Sequence, residues 1–102
     1  MSDIAFCSAS ALVRDLRAGR IGAYELLRHY LKRVERYNTK LNAIIASNLD
    51  AAKRRARAAD RAYARGELLG PLHGLPMTVK ESFDVIGLPT TWGLTEHRDH
   101  RA

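Results

Sequence analysis

Sulfur chemistry is almost absent from this chain: Cys7 is its only cysteine. That excludes an internal disulfide and any metal site resting on paired cysteines. Long apolar runs are missing as well. Nothing approaches the roughly 18 consecutive apolar residues of a membrane-crossing helix, and no membrane partner is expected. The N-terminus has no long apolar core behind a basic start, which speaks against a secretory signal. Arg14, Arg17 and Arg20 would suit an organelle-targeting helix, but Asp3 and Asp15 do not. A cytoplasmic protein is therefore expected. Internal repeats, low-complexity tracts and Gly/Ser linkers are also lacking. At 102 residues, one small domain fits the length and two do not.

Acids are the scarcer charge. Lys and Arg number 17 against 11 Asp and Glu, a net charge of +6, so a nucleic-acid surface has to be weighed. Most of the positive charge falls in stretches with helical periodicity and an apolar face. The segment holding Lys53, Arg54, Arg57 and Arg61 has no interleaved aromatic to stack on bases. It also lacks helix-turn-helix or zinc-finger spacing. A solvated outer face accounts for it, and no nucleic-acid partner is expected. His97 and His100 are three apart, as two ligands on one helical turn would be. Without a third ligand at a defined place they read as a polar tail, and neither metal nor other cofactor is expected.

What is there is helical first. Ser8 suits the cap of a short helix to about Ala18, with Ala9, Leu12, Val13 and Leu16 as its stripe. Gly19 is the stop. A second helix is expected from about Ala23 to Tyr37. Tyr24, Leu27, Leu31 and Val34 give its buried face, and Glu25 complements the dipole in its first turn. Asn38, Thr39 and Lys40 then read as a turn. The run Leu41–Ala46 has the length of a strand. A third helix spans about Leu49 to Arg65. Its buried line is Leu49, Ala52, Ala56, Ala59 and Tyr63, and Gly66 ends it.

The remaining character lies in Gly70–Gly93, GPLHGLPMTVKESFDVIGLPTTWG, which holds all 3 prolines and 4 of the 7 glycines. Gly70, Pro71, Gly74 and Pro76 keep the chain out of helix and fix a bend. MTVK follows as a short strand ending in Lys80, and Phe83–Ile86 as another extended run. Strand alternation puts Thr78 and Lys80 on one side, and Glu81 on the other. Read from periodicity alone, Lys80 is a strand-end lysine that reaches solvent.

Gly70–Gly93 nevertheless resembles the amidase signature family, serine amidohydrolases that include one component of the glutamyl-tRNA amidotransferase. The likeness rests on Gly70-Pro71-Leu72-His73-Gly74-Leu75-Pro76, Val79-Lys80 and Gly87-Leu88-Pro89-Thr90-Thr91. Glu25-Leu26-Leu27, Leu41-Asn42-Ala43 and the alanine-rich third helix extend it over nearly the whole chain. The resemblance implies an α/β fold, a mixed sheet flanked by helices. Residues 1–102 would be its N-terminal portion, with three helices and two or three short strands. It implies hydrolysis of carbon–nitrogen amide bonds by a Ser-Ser-Lys mechanism, on a small-molecule amide. Lys80 carries over as the base. Glu81 departs from the aspartate common at that place, with little expected consequence.

In such a mechanism the lysine draws a proton through a bridging serine, and a second serine attacks the carbonyl to give an acyl-enzyme. Both serines and the oxyanion hole come from a downstream Gly/Ser-rich stretch. This chain has serines at 2, 8, 10, 47 and 82, none beside a glycine. It is therefore expected to be truncated before that machinery, inactive alone and marginally stable, with open strand edges. Two alternatives stay open. One is an interaction subunit completing a partner chain that supplies the serines. The other is a basic nucleic-acid-binding module.

Overall fold

A computed structural model describes residues 3–102. Three helices dominate it: α1 (Ala9–Arg17), α2 (Ala23–Leu41) and α3 (Leu49–Ala64). A 3-10 turn, Ile4–Phe6, precedes them, and another, Thr95–His97, lies near the end of an irregular segment.

The helix ends follow from local chemistry. Ser8 Oγ accepts the Ala11 N–H at 3.1 Å to start α1, and Asn48 Oδ1 accepts the Ala51 N–H at 3.1 Å to start α3; each satisfies an orphan donor of the first turn. Both helices end in Schellman motifs. At α1, Gly19 N–H reaches the Leu16 carbonyl at 3.2 Å and Arg20 N–H reaches Asp15 at 2.9 Å. At α3, Gly66 N–H reaches Tyr63 at 3.0 Å and Glu67 N–H reaches Ala62 at 2.8 Å. Gly19 and Gly66 take the left-handed conformation these motifs need, φ +73° and +71°.

α2 begins differently. Its N-cap is Gly22, which has no side chain to offer. Asp60, on α3, supplies the acceptor instead. Its Oδ1 lies 2.6 Å from the Ala23 nitrogen and its Oδ2 3.1 Å from that of Tyr24. A Cβ on Gly22 would stand 3.3 Å from Asp60 Oδ1. One carboxylate thus caps one helix while tying it to another, with the helix dipole in its favour.

Two sequence expectations about α2 need correction. It runs on through Asn38–Lys40 to Leu41, where Asn42 closes it at φ 50°. Nothing in 38–40 breaks a helix. The side chain of Asn38 then holds the segment that follows, its Nδ2 donating to the Ile44 carbonyl and its Oδ1 accepting the Ile44 N–H, both at 2.9 Å. The buried face is also turned. Ala23, Leu26 and Leu27 are buried, while Tyr24, Leu31 and Val34 are only partly covered. Leu12 and Leu16 from α1 join Ala23 and Leu26 in the core, with Ala56, Ala59 and Tyr63 of α3 and Leu75 packed against it. Packing against both neighbours centres the stripe on Leu26, which is wholly buried. Such a leucine contributes about 1.5–3 kcal/mol. On α3, Leu49 is exposed and Ala62 buried.

The expected strands are absent among the described residues, so the α/β reading gives way to three helices with no sheet. Leu41–Ala46 and Met77–Lys80 have no ladder partner there, and Phe83–Ile86 passes through a bend into a turn. An extended run becomes a strand only when another strand takes its backbone groups. Ile44 gives its N–H and C=O to Asn38 instead. The single strand-like pairing among the described residues is an antiparallel bridge between Pro89 and Arg101.

Candidate active site

The loop after α3 is fastened to the helices by His73 and Gly74. The Tyr63 hydroxyl donates to the His73 carbonyl at 2.5 Å. His73 Nε2 lies 3.1 Å from the Ala59 carbonyl, and its Nδ1 faces the Leu69 N–H at 3.4 Å. A ring protonated on Nε2 alone satisfies both contacts. The Tyr63 and His73 rings meet edge to face, 4.7 Å apart at 75°, a favoured aromatic geometry. Burial holds the Tyr63 phenol above its usual range, with Arg17 opposing and Asp60 reinforcing.

Gly74 follows at φ +86°. A Cβ there would stand 3.0 Å from Tyr63 Cε2, 3.3 Å from Ala23 Cβ and 3.5 Å from Leu16 Cδ1. Those atoms belong to α3, α2 and α1. The loop backbone therefore enters the point where the three helices meet, and only glycine fits both the space and the conformation. Leu75 then packs on the core. The His73-Gly74-Leu75 part of the motif is an anchor, and it sets where the next residues leave the helices.

Those residues are Met77–Lys80. They are exposed and lie in no helix, strand or turn, and Lys80 takes part in no ion pair among the described residues. The Phe83 N–H bonds back to the Lys80 carbonyl at 3.0 Å. An open cavity of about 400 Å³ is lined by Lys80, Glu81, Ser82, Trp92 and Gly93. Lys80 and Glu81 were expected on opposite sides and unpaired. No ion pair joins them, yet they line one cavity, because the chain turns at Glu81 and alternation holds only in extended backbone.

Glu81 has a consequence that strand alternation did not foretell. Its carboxylate accepts the Thr91 N–H across the turn. That bond holds the carboxyl below its usual range; the Thr91 hydroxyl and the N–H groups of Trp92 and Gly93 add to it, and partial desolvation opposes it. The only sequence signal was Trp92-Gly93, a pair where the chain turns left-handed, φ +58° and +73°. Beyond it, Thr90 N–H bonds His100 O at 3.0 Å and Ala102 N–H bonds Leu88 O at 3.3 Å. His100 Nε2 also lies 3.9 Å from Asp84 Oδ1.

The basic face of α3 keeps Arg54, Arg55 and Arg61 exposed. Arg57 sits 4.3 Å from the centre of the Tyr24 ring, a cation–π contact within the fold. No helix among the described residues is long and apolar enough to cross a membrane.

A model of the amidase family matches residues 25–102, a span that contains the whole anchor, Lys80 and Glu81. This chain belongs to the amidase family. Among similar proteins, the indoleacetamide hydrolase of Bradyrhizobium diazoefficiens is 38% identical over 95 residues, 93% of this chain and 18% of that protein. The acylamidase of Rhodococcus erythropolis is 34% identical over 95 residues, 93% of this chain and 20% of that protein. A component of the glutamyl-tRNA(Gln) amidotransferase of Streptomyces coelicolor is 36% identical over 93 residues, 91% of this chain and 19% of that protein. The chain thus spans about a fifth of the length of the curated amidase relatives it matches.

Proposed function

We propose that these residues are the lysine-bearing portion of an amidase, with Lys80 as the general base and the nucleophilic and bridging serines outside residues 1–102. The observation that supports this most is the family match across Lys80, combined with an anchor that fixes where the lysine-bearing run begins. Two of the named relatives are, by name, an indoleacetamide hydrolase and an acylamidase. This chain's substrate class is proposed to be of the same kind: a small molecule with a carbon–nitrogen amide bond.

The chemistry sets a requirement. A base accepts a proton only when neutral, and a free lysine amine has a pKa of about 10.4. At pH 7 about one in 2,500 such amines is neutral. A lysine base working near pH 7–8 needs a drop of roughly three units, about 4 kcal/mol between protonation states. Removal from water is the usual means. Lys80 is exposed here, so its cover has to come from residues outside these 102. The same residues would also cover the exposed run Met77–Lys80. The exposed Ile45, Met77, Val79 and Phe83 support that reading.

Ser82 is the one serine that lines the cavity with Lys80. Among the described residues no hydrogen bond joins the two. The test is an amide-hydrolysis assay on the 102-residue chain, with Lys80→Met and Ser82→Ala as controls. No turnover above background is expected. Turnover lost in both variants would overturn the reading.

A further inference from the structure

The acid beside the lysine has no part in the chemistry proposed for Lys80, although the structure gives it a defined task. The Thr91 N–H donates to the Glu81 carboxylate, and Trp92 and Gly93, which follow it, turn left-handed. Trp92 holds φ +58° without being glycine, a conformation that persists only when its surroundings enforce it. Gly93 N–H also reaches Thr91 Oγ1 at 3.2 Å. Trp92 and Gly93 then form the wall of the cavity that Lys80 and Ser82 also line.

We propose that Glu81 is a positioning residue: its carboxylate templates the Thr91–Gly93 turn and so sets the wall of the cavity beside Lys80. The fold of this turn stands without any role for Lys80. Its relevance to catalysis rests on the reading of Lys80 as the base. A carboxylate takes the Thr91 N–H through a charge-assisted bond, about twice as strong as a neutral one. An amide in its place keeps one acceptor oxygen and loses the charge. Aspartate keeps the charge on a stem one methylene shorter.

Trp92 is the only tryptophan in the chain, so its fluorescence reports on this turn alone. The test uses the full 102-residue chain at neutral pH, with Trp92 emission and amide hydrogen exchange of Thr91 and Gly93 as readouts. In Glu81→Gln the exchange at Thr91 should speed up by roughly tenfold and the emission should shift, with helical circular dichroism unchanged. Glu81→Asp should recover part of both signals. Lys80→Met should leave the Thr91 exchange as in the parent, which separates this proposal from the one about the base. Where a Glu81 variant loses its helical signal, the parent decides instead: the Thr91 amide shift must follow the Glu81 carboxyl through its acid titration. Unchanged exchange and emission in Glu81→Gln, or a Thr91 amide that ignores that titration, would overturn the proposal.

Discussion

Replacing Gly74 by alanine is the sharpest probe of how the motif loop is held. Two costs arise. The residue sits at φ +86°, where a side chain costs about 1–2 kcal/mol. The added Cβ also meets Tyr63 Cε2 at 3.0 Å and Ala23 Cβ at 3.3 Å. Neither neighbour yields readily, since one ring edge is pinned by its hydroxyl bond to His73 and the other atom lies on a helix. Overpacking of this kind costs about 1–3 kcal/mol. The sum is about 2–5 kcal/mol, a large share of the stability of a small domain. Gly66→Ala is the matched control. It has the same sign of φ, +71°, but nothing within 4 Å of its Cβ, so it bears the conformational cost alone. Urea unfolding followed by circular dichroism separates the two. With a slope of about 1.5 kcal/mol per molar, Gly74→Ala should lower the midpoint by about 1–3 M and Gly66→Ala by about 1 M. Equal midpoints would refute the claim that Gly74 is where loop and helices interlock.

Three further outcomes follow from the same contacts. Asp60→Ala should cost about 1–2 kcal/mol in urea unfolding, because it uncaps α2 and unlinks it from α3 at once, while Gly22→Ser in that background should return part of the loss by capping locally. Tyr63→Phe should cost about 1 kcal/mol at neutral pH. The parent, whose phenol is raised in the folded state, has the full benefit of Tyr63 below about pH 10 and loses it as pH rises through the folded value, so its alkaline loss of stability should shrink in Tyr63→Phe. Glu81 has the opposite sign: its folded value is depressed, so the turn it holds should be intact above about pH 4.5 and be lost as pH falls through the lower folded value, seen as a Trp92 emission change that Glu81→Gln removes.

The helices were legible in the sequence because their punctuation is local. Ser8, Gly19 and Gly66 act within a few residues of themselves, and each does what its type and spacing indicated. The anchor was legible only as a bend. Its reason is tertiary: Gly74 is required by atoms from three helices, and no periodicity records that. The same holds for Asp60, which caps a helix 37 residues away in sequence. The strands were misread because length and apolarity describe a segment willing to pair, while pairing depends on a partner backbone. Asn38 claimed Ile44 first, and Met77–Lys80 met none. Lys80 itself was marked by motif resemblance, since its surroundings among these residues leave it exposed. Glu81 was undervalued because strand alternation was carried one residue too far, into the turn.

The role of Lys80 is tested most directly by grafting residues 1–102 in place of the matching segment of the Rhodococcus erythropolis acylamidase and comparing kcat with Lys80 and with Lys80→Met. A general base contributes about 100- to 10,000-fold. A loss of that size, with folding unchanged by circular dichroism, is the expected result. A grafted enzyme that turns over its amide equally well with methionine at position 80 would contradict the account.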